Sequence, residues 1–103
     1  MKSRTELQTE LEKVIGSKNV YFQPPESLKM KYPCIVYEVS GMSVKLADNN
    51  KYNKYMRYQI MYITKEPDTQ PMIEKILDGF KYIMYSRHFI IDSLHHDVFD
   101  LYY

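Results

Sequence analysis

The stretch from Tyr52 to Thr64 constrains the fold most, because its side chains alternate with a period of two over an unusually long run. This period is typical of a β-strand, whose successive side chains point to opposite faces of a sheet. One face carries Met56, Tyr58, Ile60 and Tyr62, and the other carries Tyr55, Arg57, Gln59 and Met61. The second face is neither polar nor apolar throughout, so the sequence predicts a long strand with a use for both faces.

Three further strands, separated by loop and turn residues, are predicted before Tyr52. A short strand is expected at Asn19–Phe22, followed by a loop over 23–32 in which Pro24 and Pro25 cannot extend a ladder of hydrogen bonds. A β-branched and aromatic stretch predicts a strand at Cys34–Val39 that stops near Gly41. A weaker strand, Met42–Ala47, is expected beyond that glycine, with a turn at 48–50.

The end of the chain predicts a β-hairpin. Its first strand is expected at Arg87–Ser93 and its second at Asp97–Tyr103. The tight connection between them is placed at Leu94-His95-His96. This interpretation puts both histidines of the pair at the tip of the hairpin.

Two helices are predicted from helical spacing and capping residues. Ser3 followed by Glu6 indicates a capping box, and Gly16 offers a left-handed stop, so the first helix is expected over 4–15. Asp68 or Thr69 can cap a second helix over 70–80, which accepts Pro71 in its first turn. The apolar stripes are Leu7, Leu11, Val14 and Ile15 in the first helix and Ile73, Ile76, Leu77 and Phe80 in the second.

These elements predict one α+β domain over residues 1–103, with a mainly antiparallel sheet and both helices packed on one face. The expected core consists of Leu7, Leu11, Ile73, Ile76, Leu77, Ile35 or Val36, Tyr58 and Ile60. The start of the chain lacks an apolar signal segment, and apolar runs stay well short of a membrane span. Neither secretion nor membrane insertion is therefore expected.

Motifs that support catalysis are not found in the sequence. Cys34 follows a proline at a strand start among apolar neighbours, which favours a buried thiol over a nucleophile. The pair His95-His96, with His88 and Asp92 nearby, is interpreted as a surface turn, because adjacent histidines point apart. Turns, caps or solvated strand faces explain the other candidate carboxylates, which are Glu66, Asp68, Asp92, Asp97 and Asp100. We expect no catalytic residue, no cofactor and no metal.

The charge balance gives no reason to expect a polyanionic partner. Lys plus Arg number 14 and Asp plus Glu 13, a formal net charge of +1. A local mixture of cations and tyrosines still leaves a single-strand nucleic-acid surface as an alternative. Its members are Lys29, Lys31, Lys45, Lys51, Lys54 and Arg57 with Tyr32, Tyr52 and Tyr55. Nearby Glu26, Glu38 and Asp48 dilute this charge, so a protein interface or a solvated sheet is favoured.

Tyrosine is the unusual component, with 11 Tyr and no Trp. Tyrosine buries a large ring at low entropic cost while its hydroxyl stays hydrated, which suits a surface that is covered on assembly. The segment 42–56 is therefore predicted to contact a neighbouring subunit. The expected interface residues are Met42, Val44, Lys45, Tyr52, Tyr55 and Arg57.

Several strings of the sequence resemble a known family. They are Asn-Val-Tyr-Phe-Gln-Pro-Pro at 19–25, Tyr-Pro-Cys-Ile-Val-Tyr at 32–37, Arg57-Tyr58 ahead of Pro67-Asp68-Thr69, and the final stretches 92–99 and 101–103. Together they make the chain, from Asn19 onward, similar to the small tail-completion or tail-terminator proteins of long-tailed bacteriophages. The likeness identifies the family more firmly than the role within the particle.

The resemblance implies a structural virion protein without catalytic residues. A tail terminator of this family forms a hexameric ring on the last ring of the tail tube and offers the surface to which the filled head attaches. The implied partners are further copies of the chain, the tail tube protein and head-completion or neck proteins, with assembly in the bacterial host cytoplasm. A head-closure or neck connector subunit of the same particle and a small nucleic-acid-binding module remain the alternatives.

Overall fold

The computed structural model describes residues 3–46 and 52–103, with the backbone alone for 43–46, 52 and 53. The elements in chain order are α1 (Arg4–Ile15), β1 (Val20–Phe22), β2 (Cys34–Leu46), β3 (Tyr52–Thr64), α2 (Gln70–Asp78), β4 (Ile83–Ile91) and β5 (Leu94–Tyr102). Within these residues, five strands in one sheet and two helices make an α+β fold, as predicted. In the described part of the chain, no helix is long and apolar enough to cross a membrane.

The sheet has the strand order β1-β2-β3-β5-β4. The short β1 pairs with β2 in parallel, and the other neighbours are antiparallel, so the sheet is mainly antiparallel. The long strand β3 lies at the centre and matches the predicted bounds. Its residue Ile60 is opposite Tyr37 of β2 and Phe99 of β5, which brings three large side chains to one face.

One hydrophobic cluster forms the core, and both helices contribute to it. Leu7 and Leu11 of α1 and Ile76 of α2 are fully buried in this cluster, with Ile35 of β2 and Ile60 of β3. The predicted core residues Ile73 and Leu77 are partly buried and pack against it, whereas Ile35 rather than Val36 is the buried alternative. The predicted phase of α1 is confirmed, since Leu11 is buried and the Lys13 side chain is 70% exposed.

The predicted ends of α1 are also confirmed. The Ser3 hydroxyl accepts a hydrogen bond from the Glu6 backbone N–H at 3.2 Å, which satisfies one free donor of the first turn. Gly16 adopts a left-handed φ of 70°, and its N–H donates to the Glu12 carbonyl. α2 ends at Asp78, two positions before the predicted end, and Thr69 precedes it without a side-chain capping bond.

Two strand predictions were wrong in their bounds. The segments on either side of Gly41 form one continuous strand, because β2 absorbs the irregularity as a bulge between Val39 and Gly41. The terminal hairpin turns at Asp92 and Ser93, whose φ values of 52° and 64° are those of a two-residue turn. His95 and His96 consequently belong to β5 rather than to the connection.

Candidate interaction surface

The hairpin of β2 and β3 extends beyond the rest of the sheet. In the described residues β1 pairs with β2 only at 35–37, and β5 pairs with β3 only at 57–64. Residues 42–46 and 52–56 therefore have each other as strand partners, and we call this two-stranded end the arm. Five residues of strand span roughly 15 Å. The molecule is correspondingly elongated, with principal extents of 50 × 28 × 22 Å.

The structure places the predicted interface residues in or beside the arm. Met42 is 55% exposed, and Arg57 is exposed at its base, where the guanidinium donates to the Ser40 carbonyl. Tyr55 is half-buried. For Val44, Lys45 and Tyr52 the backbone lies in the paired strands, whereas their side chains fall outside the described part of the structure.

The tyrosines of β3 separate into two environments. Tyr58 and Tyr62 are buried, and burial raises the pKa of both hydroxyls. Tyr55 lies on the other face and packs edge-on against Tyr82, with ring centroids 5.3 Å apart. The expectation that tyrosines occupy both faces of this strand is confirmed, and two of them belong to the core.

A cleft lies where α1 approaches the root of the arm and the last residues of the chain. Its volume is about 780 Å³, and we call it the C-terminal cleft. The Phe80 and Tyr103 rings pack at a centroid distance of 6.1 Å in its wall. The pKa of Tyr103 is raised by burial and by the negative charges of Glu10 and Glu6. Its lining includes Glu6, Thr9, Glu10, Tyr55, Phe80, Lys81, Tyr82 and Tyr103.

The edge strand β4 exposes large apolar side chains. Its members Met84, Ile90 and Ile91 are 60%, 58% and 54% exposed. In the described part of the chain β4 pairs with β5 along one side, which leaves its other edge without a strand partner. An apolar edge of this length is a site at which another chain can pair.

A polar cluster around the buried Asp97 connects β4 to β5. Asp97 is 0% exposed, and its Oδ1 accepts from the Tyr85 hydroxyl at 2.9 Å and faces His88 Nδ1 at 2.7 Å. His95 Nδ1 lies 3.3 Å from His88 Nε2. The prediction that Asp97 belongs to a turn or a solvated face was wrong, because the shift of the hairpin turn places it inside the sheet opposite His88 and Tyr62.

Hydrogen bonds to Asp97 hold the Tyr85 and His88 side chains in position. These contacts are mutually compatible if His88 donates through Nδ1 to Asp97 Oδ1 and accepts at Nε2 from His95, whereas the buried Asp97 Oδ2 has no hydrogen-bond partner among the described residues. Both ring nitrogens of His88 are then engaged. Groups of three or more His, Cys, Asp or Glu side chains able to hold a metal are not found in the described residues. His96 points away from the cluster and stacks on Phe89 at 4.6 Å, so the two adjacent histidines do point apart.

Cys34 is buried, as predicted from its apolar neighbours. Burial raises the pKa of its thiol to about 12. The thiolate is therefore scarce at neutral pH, which opposes a nucleophilic role.

Comparison with known proteins adds no family assignment: a scan against models of protein families and a search of curated proteins both find no match. Sequence reasoning missed the C-terminal cleft and the Asp97 cluster. The cleft joins residues that are far apart in the sequence, so no local pattern marks it. Whether Asp97 is buried or solvated depends on the register of the terminal hairpin.

Proposed function

We propose that this protein is a structural subunit of a bacteriophage tail, acting as the tail terminator. In this role copies of the chain form a ring, of six subunits as the family resemblance implies, at the head-proximal end of the tail tube. The ring contacts the tail tube protein on one side and head-completion or neck proteins on the other. Its place is the virion, after assembly in the host cytoplasm.

The observation that carries this proposal is the arm. A contact that passes from copy to copy in one direction needs a projecting patch and a different receiving patch. The arm projects beyond the five-stranded part of the sheet and exposes Met42, so it can serve as the projecting patch. Separately, β4 exposes Met84, Ile90 and Ile91 at the edge of the sheet, and apolar side chains grouped in this way are typical of protein interaction sites.

Two single substitutions test whether the arm mediates assembly. Met42→Glu places a negative charge on the arm, and Leu28→Glu places the same charge on a comparably exposed apolar residue, 42% exposed, in the loop before β2. We expect Met42→Glu to weaken assembly of concentrated protein and its binding to tail tubes strongly, and Leu28→Glu to leave both intact. Analytical ultracentrifugation and cryo-electron microscopy of tail tubes with added protein provide the readout.

The outcome can contradict the proposal directly. A stable subunit contact is expected to bury about 1,000 Å² or more in total. If the assembled particle shows no such contact, or shows one that excludes residues 42–56, the proposed ring contact is wrong. Binding to portal-bearing heads in place of tail tubes would instead favour the head-closure or neck connector role.

A nucleic-acid-binding module is the second candidate from a different class. The observation in its favour is that Arg57 is exposed on the same face of β3 as the half-buried Tyr55, which combines a cation with an aromatic ring, and that Lys54 is exposed nearby on the other face. Affinity for single-stranded DNA at physiological salt, with a steep loss as salt rises, would support it. We expect no such binding, because the formal net charge is only +1.

A further inference from the structure

We propose that the C-terminal cleft is the receiving patch of the subunit contact and that it holds the arm of a second copy of the chain. This inference rests on the proposed ring and specifies its interface. It assigns one occupant to a cleft whose walls come from α1, the root of the arm and the residues that follow α2 and β5.

Charge complementarity is the first argument for this occupant. Glu6 and Glu10 of α1 line the cleft, and their negative charges add to burial in raising the pKa of the Tyr103 hydroxyl. The arm carries Lys45 and Lys54 and no carboxylate, and Arg57 lies at its base. A cationic arm and an acidic cleft attract each other between copies, which steers association and fixes the register of the contact. Lys81 also lines the cleft, but its ammonium lies over the Tyr82 ring at 5.3 Å.

The aromatic wall is the second argument. Besides its two carboxylates, the cleft presents rings of Tyr55, Phe80 and Tyr103. Aromatic rings next to carboxylates suit the long side chains of Lys and Arg, because the apolar stem packs on the rings while the charged end meets the carboxylate. Lys54 is exposed on the arm and has no ion-pair partner among the described residues of its own copy.

The placement of the two patches on one molecule is the third argument. Tyr55 belongs to the arm and also lines the cleft, and the Tyr103 N–H donates to the Met56 carbonyl, so the cleft lies at the arm's root. The rest of the arm extends away from that root. Each copy therefore carries a donor and a receiver that differ, and such contacts continue from copy to copy until the ring closes.

Disulfide trapping between two variants, each with one added cysteine, tests the contact. Thr9→Cys labels the cleft wall and Lys54→Cys labels the arm, while the native Cys34 is fully buried and serves as the unreactive background. Concentrated protein, or protein added to tail tubes, is oxidised after mixing the two variants. We expect the mixed dimer to form at least about tenfold more than either homodimer, because the proposed contact brings position 9 of one copy next to position 54 of another. The matched control replaces Thr9→Cys by Ser27→Cys in the exposed loop.

Charge reversal provides an independent measurement of the same contact. Glu10→Lys and Lys54→Glu are each expected to weaken assembly by roughly tenfold, and the double variant is expected to recover most of the loss. Glu26→Lys, an equal charge change in the exposed loop before β2, is the control and should have little effect. Circular dichroism of each variant verifies that the fold is retained.

The outcomes separate this inference from the proposed function. Assembly through the arm without the mixed dimer, and without recovery in the double variant, would overturn the cleft as receiver while leaving the ring intact. Failure of the native protein to associate, both alone at high concentration and on tail tubes, would overturn both. Mixed dimers at the level of the Ser27→Cys control would also count against the cleft.

Discussion

The strands β4 and β5 form one hairpin, have equal lengths and pair along their whole extent, yet their environments differ. In β5 the residues Val98, Phe99 and Leu101 are at most 1% exposed. In β4 the residues Met84, Ile90 and Ile91 are more than half exposed. Burial along this hairpin is therefore set by position in the sheet, since β5 lies between two strands and β4 lies at the edge.

Apolar composition does not by itself determine the burial of these two strands. Of the nine residues in β4, those at 83–85 and 89–91 are apolar or aromatic, and on composition β4 would be the more buried strand. Natural proteins usually protect such edges with charges, prolines or a covering element. An apolar edge that stays exposed in one copy of the chain is explained if assembly covers it.

The largest expected effect directly contrasts the two strands. Phe99→Ala in β5 should reduce the free energy of unfolding by about 3–5 kcal/mol, because it leaves a cavity in the central cluster. Ile90→Ala in β4 should change it by no more than about 0.5 kcal/mol, because the side chain is already largely exposed. Urea unfolding of both variants gives the comparison, and equal losses would contradict the edge position of β4.

A second substitution tests the helix that contributes to the cluster around β5. Leu11→Ala should cost about 2–5 kcal/mol, since Leu11 is fully buried in the same cluster as Phe99. Lys13→Ala on the exposed side of α1 is the control and should stay within about 0.5 kcal/mol. Thermal unfolding resolves a difference of this size, and a similar cost for both would place α1 in a different orientation.

A third substitution concerns the polar link between the strands. Asp97→Ala should reduce stability by about 1–3 kcal/mol, because Tyr85 and His88 lose the carboxylate that they contact. Asp100→Ala lies on the same strand at a half-exposed position and should have a much smaller effect. Urea unfolding compares the two, and the reverse order would show that Asp97 contributes nothing as an anchor.

The smallest effect on the free energy of unfolding is expected from ionisation of the Cys34 thiol. It is negligible at neutral pH and grows at alkaline pH. The folded thiol has a pKa of about 12 against an ordinary value of 9.0, so above pH 9 the unfolded chain loses this proton before the folded chain does. Stability should accordingly fall as the pH rises from 9 toward 12. Cys34→Ala should show a weaker decline than the native protein when unfolding is measured at about pH 8 and about pH 10.5. An identical decline in both would exclude the thiol as a contributor.

Local patterns were sufficient to predict the helices and the central strand. Helical spacing with Ser3 and Gly16 defined α1, and strict alternation defined β3, because both signals lie within one continuous segment. The parallel pairing of β1 with β2 and the edge position of β4 depend on which strands meet, and alternation carries little information about that. The Asp92-Ser93 turn was missed because neither residue is the glycine that usually marks a left-handed turn.

The candidate site was predictable only in part. The strands of the arm could be inferred from the alternating residues of the sequence, whereas the predicted turn at 48–50 lies outside the described residues. The C-terminal cleft could not, because its walls join Glu6 and Glu10 near the start of the chain with Phe80 and Tyr103 near its end. The same limit applies to Asp97, whose burial depends on a hairpin register that the sequence leaves open.

The bulge at Ser40 lies between the core part of β2 and the arm. Between Val39 and Gly41 the pairing with β3 shifts by one residue, and the Ser40 hydroxyl and carbonyl both bond to Arg57 at that point. Adding a pair of residues to each strand of the arm would keep the alternation of β2 and β3 unchanged in the core, while lengthening the arm by roughly 7 Å. The length of the arm can thus change without any compensating change in the residues that hold the domain together.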